Sequence, residues 1–323
     1  MKNVLVTGGA GYIGSHTVKH LVQHGYNVIV ADNLSMGHRE AVDTNAKFEI
    51  ADLMDKDSLR AVFKKYPVDI VIHFAAFTAV GESVENPAKY YSNNVVGTLN
   101  LLDVMLENNV KKIVFSSTAA VFGNPLYTPI DEKHTTNPIN PYGQTKLMIE
   151  KIFDDYKRAY GLSYIAFRYF NASGCSVDGS IGESHNPETH LIPLVLKAIK
   201  GERENIKIFG DDYDTPDGTC IRDYIHVEDL AVAHRLAVEN IDNFCGMLNL
   251  GTSKGTSVKE IIAIAEKITG KKCPVVIEKR RAGDPAILSA TSDKAKELFG
   301  WSPEFSMEDI IKTAWAWELN KKY

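Results

Sequence analysis

The sequence of 323 residues has little cysteine, no long apolar run and no surplus of basic charge. Its four cysteines, Cys175, Cys220, Cys245 and Cys273, show no C-x-x-C spacing, which removes the usual redox and zinc signatures. No metal is therefore expected, and a reducing compartment fits best. Lys2 precedes the apolar Val4-Leu5-Val6, but Thr7 and a glycine cluster interrupt the run before it reaches signal-peptide length. No later run approaches the about 18 uninterrupted apolar residues of a membrane span, so no membrane contact and a cytoplasmic location are expected. The 36 basic and 41 acidic residues give a net charge of −5. The longest basic cluster, Lys279-Arg280-Arg281, is too short for a nucleic-acid stripe, so no nucleic-acid partner is expected.

What remains is an ordinary globular composition, 44% hydrophobic and 24% charged, with enough length for one large α/β domain or two interleaved ones. Short β-branched runs at residues 4–6, 27–31, 48–51, 69–74, 112–115 and 164–170 read as strands. Several are almost continuously apolar, the mark of strands buried on both faces of a parallel sheet. Helical spacing or length at residues 14–24, 58–66, 87–107 and 142–160 fills the gaps, with Asp57 or Ser58 as a cap for the second and Pro87 in the first turn of the third. The alternation predicts a doubly wound, Rossmann-type α/β fold. After Cys175 it becomes irregular, and SVDGSIGESHNPETHLIP and GDDYDTPDGTCIRD collect Gly, Pro, Asp and His. Later helices are expected over 258–269, 293–299 and 307–320. The expected organisation is a Rossmann domain over 1–175, with a return segment near 221–251, and a smaller, interleaved substrate-binding domain over 176–323.

The run VLVTGGAGYIGSHTVKHLV sets Gly8, Gly9, Gly11 and Gly14 between a strand and a helix. Missing side chains let the backbone approach a pyrophosphate, while the helix N-terminus offers amide donors. Asp32 lies 18 residues beyond Gly14 at the end of the next strand, placed to accept both ribose hydroxyls of an adenosine and to repel a 2′-phosphate. NAD is favoured over NADP. Asp52 ends the third strand on the same edge of the sheet, where it can bond the adenine amino group or act as a turn residue.

NPYGQTKLMIEKI places Tyr142 and Lys146 one helical turn apart on one face. A free phenol titrates near 10, and a neighbouring ammonium favours its phenolate. Together with the glycine loop, Asp32 and the hydroxyls of SSTAAVFG, Ser116 to Thr118, this pair resembles the extended short-chain dehydrogenase/reductase family. The resemblance extends over nearly the whole chain through HFAAFTAVGES, YYSNNVVGT, RYFNASG, IFGDDYDTPDGTCIRDYIHV, NLGT and RRAGDP, in the wording of its UDP-hexose 4-epimerising branch.

That resemblance implies that Tyr142 is the base at the sugar 4′-hydroxyl, that Lys146 tunes it and holds the nicotinamide ribose, and that Thr118 hydrogen-bonds the 4′-oxygen. It also implies a cofactor set of Gly8, Gly11, Tyr12, Ile13, Gly14, Asp32, Asn33, Asp52, Leu53, Phe74, Ala75, Ala76, Asn93, Tyr142, Lys146 and Phe170. Thr118, Asn171, His190, Leu191, Phe209, Arg222, Arg281 and Asp284 would surround a UDP-hexose, and the helices at 87–107 and 142–160 would pair across a homodimer. From the residues alone, Tyr90 and Tyr91 read as core. Thr78, His190 and Phe122 stand where other members carry lysine, asparagine and tyrosine. A nucleotide-sugar dehydratase needs an acid and a base after its threonine, where this chain has Ala119 and Ala120. A simple dehydrogenase remains open on the same chemistry. A non-catalytic nucleotide-binding protein is disfavoured by the joint presence of Thr118, Tyr142 and Lys146.

Overall fold

The computed structural model describes residues 2–281 and 284–323. Six of its strands follow the expected positions: β1 (Asn3–Thr7), β2 (Asn27–Asp32), β3 (Lys47–Ile50), β4 (Ile70–His73), β5 (Lys112–Ser116) and β6 (Ser163–Arg168). They form a parallel sheet in the order β6-β5-β4-β1-β2-β3, with a seventh strand, Gly246–Asn249, beside β6. Period-two alternation explains the apolar runs: Val4 and Val6 enter one core, Leu5 the other, and all three are fully buried. The first face is covered by α1 (Tyr12–Gln23) and the helix Val227–Asn240. The second is covered by α2 (Lys56–Lys65) and the helices Gly97–Glu107 and Pro141–Tyr160.

Beyond the sheet, the helices Leu191–Lys200, Val258–Thr269 and Met307–Leu319 pack into a separate core, with the parallel pair Ile206–Phe209 and Val275–Glu278 beside them. The helices at 191–200 and 227–240 and the edge strand at 246–249 were not among the expected elements. All three lie in the part of the sequence where Gly, Pro and Asp break the period, which hides short regular elements between loops.

Two boundaries differ instructively. The cap of α2 is Asp55, whose carboxylate accepts from the amides of Asp57 and Ser58, so the helix begins earlier than the expected Asp57 or Ser58 cap. The expected helix at 87–107 is broken. Asn86 caps a single turn, Pro87–Tyr90, a π-helical turn follows over Tyr91–Val96, and an α-helix continues from Gly97 to Glu107. Tyr90 is buried and Tyr91 half-buried. The widened turn sets Asn94 to hold Phe77 through both its amide and its carbonyl and to donate to Thr145 Oγ1 at 3.2 Å, which fixes the strap after β4 against the helix carrying Tyr142.

Candidate active site

β1 lies between β2 and β4, the point at which the chain turns from building one half of the sheet to the other. Loops leaving neighbouring strands diverge there and open a crevice at the carboxyl edge. The crevice is lined by Gly8, Gly11, Asp32, Asn33, Asp52, Leu53, Phe74, Ala75, Ala76 and Asn93, all members of the expected cofactor set. Ser35, Met36, Gly37 and Phe77 also line it and were missed. The Asn-Leu-Ser run directly after Asp32 was the available signal, since a loop following an acidic strand end must border the same nucleotide.

The glycines are required by contact. Gly8 has φ +75°, and a Cβ there would lie 2.5 Å from the Ala75 amide nitrogen; a Cβ on Gly14 would lie 2.2 Å from the Gly8 carbonyl oxygen. Gly11 caps α1 without a side-chain acceptor, and the first turn holds no acid, so the amides of Tyr12, Ile13 and Gly14 face the crevice end with the positive end of the helix dipole. The Tyr12 side chain does not line the crevice, because its hydroxyl donates to the Gly174 carbonyl at 2.5 Å. Asp32 accepts from the Ala10 amide at 3.0 Å and the Leu34 amide at 2.8 Å, and burial raises its pKa. Each of its oxygens keeps a lone pair for a ribose hydroxyl. Asn33 donates to Asp52 at 3.0 Å and joins the two acidic strand ends. A tight glycine cradle, free amides and a carboxylate at the second strand end fit NAD.

At the carboxyl end of β5, SSTAAVFG gives each hydroxyl a different partner. Ser116 Oγ bonds the Tyr169 hydroxyl at 2.5 Å, and Ser117 Oγ donates to Glu150 Oε1 at 2.6 Å. Thr118 Oγ1 accepts from the Ala120 amide at 3.1 Å and is the hydroxyl close enough to Tyr142 to lower its pKa. Its approach depends on Gly143, where a Cβ would lie 2.6 Å from the Ala120 carbonyl oxygen, so the helix at 141–160 presses its first turn against the turn Ala119–Val121. Asn140 caps that helix and Pro141 starts it, which puts Tyr142 in the first turn, where the dipole favours a phenolate.

The surroundings of Tyr142 push its pKa up to about 12, because the phenol is removed from water; the Thr118 hydroxyl pulls the other way. Burial lowers Lys146 to about 7, opposed by the charge of Glu150. The Lys146 ammonium donates to the Ser116 carbonyl at 2.8 Å and lies 6.0 Å from the centre of the Tyr142 ring. Beneath it, Glu150 holds Arg168 through two bonds of 2.9 and 2.6 Å, with side chains 1% and 4% exposed. Sequence reading missed this pair. Its signal was a carboxylate one helical turn beyond Lys146.

On the substrate side, Asn171 donates to the Asp223 carbonyl at 3.0 Å, and Arg222 pairs with Asp284 at 2.5 Å. Arg281 lies over the Phe209 ring at 3.8 Å. His190 caps the helix that Leu191 begins, and Phe170 packs beside the core of Ala119, Val121 and Phe122. Asp223, also missed, is fully buried and accepts from the Thr252 amide and hydroxyl and the Ala290 amide, which ties NLGT to the end of the strand Ile221–Arg222. Ala282 and Gly283 of RRAGDP lie outside the described residues.

The fold and the Thr118-Tyr142-Lys146 centre define a nicotinamide-dependent enzyme of the short-chain type. The chain belongs to the NAD dependent epimerase/dehydratase family, whose model matches residues 4–251. It is 54% identical over 317 residues to the UDP-glucose 4-epimerase of Halalkalibacterium halodurans, covering 97% of this chain and 95% of that one. Among solved structures, UDP-glucose 4-epimerase from Brucella ovis in complex with NAD superposes with a TM-score of 0.95 at 51% identity, covering 98% of each chain. The Bifidobacterium longum enzyme in complex with NAD+ and UDP gives 0.95 at 41% identity, covering 99% of each.

Proposed function

We propose that this chain interconverts UDP-galactose and UDP-glucose, an isomerisation that serves galactose metabolism, by reversible oxidation and reduction at C4′. The observation that carries the reading is that Thr118 lies beside Tyr142, Lys146 stands one turn away, and Ala119 and Ala120 follow where a dehydratase needs an acid and a base. Bound NAD supplies a hydride acceptor at C4′ and returns the hydride. Tyr142, as phenolate, takes the 4′-hydroxyl proton while Thr118 hydrogen-bonds the 4′-oxygen. The Lys146 charge and the helix dipole stabilise that phenolate. The resulting 4-keto sugar turns its other face, and Tyr142 gives the proton back to the 4′-oxygen. Atoms and electrons balance, so no second acid or base is used.

Arg222 and Arg281 hold the diphosphate in this reading, and Asn171, His190, Leu191, Phe209 and Asp284 enclose the rest of the UDP-sugar. Asp284 leaves Arg222 for the uridine ribose as the diphosphate takes over the guanidinium. The chain divides at about residue 175 into an NAD-binding part, rejoined by 221–251, and a UDP-sugar-binding part. Two further expectations belong to the same reading. A homodimer is supported by apolar side chains left open at Val96 on the broken helix and at Val80 and Val84 on the short helix Val80–Glu85 before it, and a cytoplasmic location by four unpaired cysteines.

The test is to incubate purified protein with UDP-galactose and no added cofactor. Formation of UDP-glucose is expected; net consumption of added NAD with an oxidised sugar product would establish a dehydrogenase instead. A second reading, tolerance of UDP-N-acetylgalactosamine, is favoured by Ile287 or Leu288: the resemblance puts one of them where the bulk of a side chain such as tyrosine limits the C2 substituent, both are smaller, and they form the strand beside Ile221–Arg222. No turnover of that sugar under conditions where UDP-galactose reacts removes it.

A further inference from the structure

The loop between the strand Asn171–Ser173 and the helix Leu191–Lys200 gathers Glu183, His185, Glu188 and His190, one ligand atom of each lying within 4.8 Å of the others. His190 Nδ1 is 2.8 Å from Glu183 Oε1 and 3.0 Å from Glu188 Oε1. His185 Nδ1 is 3.3 Å from Glu183 Oε1 and 3.6 Å from Glu188 Oε2. The two carboxylates are 5% and 3% exposed.

We propose that these four side chains form a site for one divalent transition-metal ion of the zinc class, with two imidazole nitrogens and two carboxylate oxygens as ligands. The directions of the groups carry this more than their proximity does. In a plain ion-pair cluster each N–H would point at a carboxylate oxygen. Here only His190 Nδ1 and Glu188 Oε1 meet hydrogen-bond geometry. Glu183 Oε1, Glu188 Oε2 and His185 Nδ1 are buried and without a hydrogen-bond partner among the described residues, though they crowd one point. Buried polar atoms left unpaired are costly, and converging orphans mark the place of an absent ion.

The spacing fits as well. Metal bonds of about 2.0–2.1 Å in a tetrahedron separate neighbouring ligand atoms by about 3.3–3.4 Å. Glu183 Oε1 lies 2.8 Å from His190 Nδ1 and 3.3 Å from His185 Nδ1, at or just below that value. Two neutral imidazoles with two carboxylates cancel the charge of a dication. Mixed nitrogen and oxygen donors favour zinc-like ions over magnesium or calcium, which prefer oxygen alone.

The loop is braced from outside the cluster. Trp317 Nε1 donates to the Glu183 carbonyl at 2.9 Å, and the His38 ring meets the Ser184 carbonyl at 3.1 Å. A Cβ on Gly182 would fall 2.4 Å from the Trp317 ring, so the backbone is held against the helix at 307–319. Cysteine spacing gave no hint of a metal; the signal was E-x-H-x-x-E-x-H in a stretch read as loop. The ion would lock His190 and Leu191 at the start of their helix. That consequence for substrate binding rests on the proposed function, whereas metal binding itself does not.

The experiment strips the NAD-bound protein with a chelator, titrates it with Zn2+ by calorimetry, and records the visible spectrum after Co2+ substitution. One equivalent of Zn2+ per chain and the intense ligand-field bands of four-coordinate cobalt are expected. His185→Ala and Glu188→Gln should each weaken Zn2+ binding by at least the about 10–100-fold that loss of even an outer partner costs. Absence of Zn2+ uptake by the stripped wild type, or undiminished uptake by both variants with native circular dichroism, overturns the site. Should a variant fail to fold, the wild-type cobalt spectrum decides: six-coordinate, weak bands overturn the proposal.

Discussion

In the proposed reading the cofactor crevice and the substrate side meet at Tyr142, but they are built differently. The first is assembled from neighbours in sequence: the Gly8–Gly14 turn and Asp32 belong to consecutive strands, and Asp32 spends both oxygens on backbone amides of its own crevice. The second brings together Asn171, Arg222, Arg281 and Asp284, and Arg222 reaches across 62 residues to find its acid. One region therefore stands ready around backbone donors. The other holds Arg222 in an ion pair with Asp284; in the proposed reading a UDP-sugar exchanges that pair, so recognition there involves breaking a contact as well as making one.

The largest expected effect falls where the two meet. Tyr142→Phe removes the proton acceptor but little volume, and epimerisation should fall by about 10²–10⁴-fold with NAD content unchanged, measured as sugar turnover beside cofactor released on denaturation. Retention of most activity would assign the base elsewhere. Glu150→Gln strands the buried Arg168, and chemical denaturation should register a loss of about 3–5 kcal/mol.

A paired substitution separates the regions directly. Arg222→Ala should raise KM for UDP-galactose by about 10–100-fold, the value of about 1.5–3 kcal/mol for a charged hydrogen bond, and leave bound NAD alone. Asp32→Ser should lower NAD content by a comparable factor. If each variant lost both ligands equally, the contrast between the two regions would fail.

The last effect is a pH dependence. Lys146 falls from 10.5 to about 7 in the folded protein, so the unfolded chain holds its proton more tightly. Stability from this group therefore rises as pH goes from about 7 toward 10, and below about 7 the charged amine costs on the order of 4 kcal/mol. Lys146→Met should melt above the wild type in NAD-free protein near pH 6, with the difference closing toward pH 10. A pH-independent gap in melting temperature would place the lysine in a more polar setting.

The glycine loop, Asp32, Tyr142 and Lys146 were legible because each depends on spacing within one strand-helix unit. Ser116 and Ser117 were not separable from Thr118 by sequence, because Tyr169, Glu150 and Tyr142 become their partners only when β5, β6 and the helix at 141–160 pack together. Asp223 looked like one acid among many in GDDYDTPDGTCIRD, and burial against Thr252 and Ala290 is what distinguishes it. The E-x-H-x-x-E-x-H loop carried no periodicity.

The sequence by itself determined the parallel α/β sheet, the cofactor end and the one-turn spacing of Tyr142 and Lys146, since these rest on local period, turn chemistry and helical spacing. Only the tertiary structure decided which hydroxyl of SSTAAVFG meets Tyr142, which acid holds Arg222, and where two carboxylates and two imidazoles converge. Those outcomes depend on burial and on contacts between segments far apart in the chain, and a pattern within one segment contains neither.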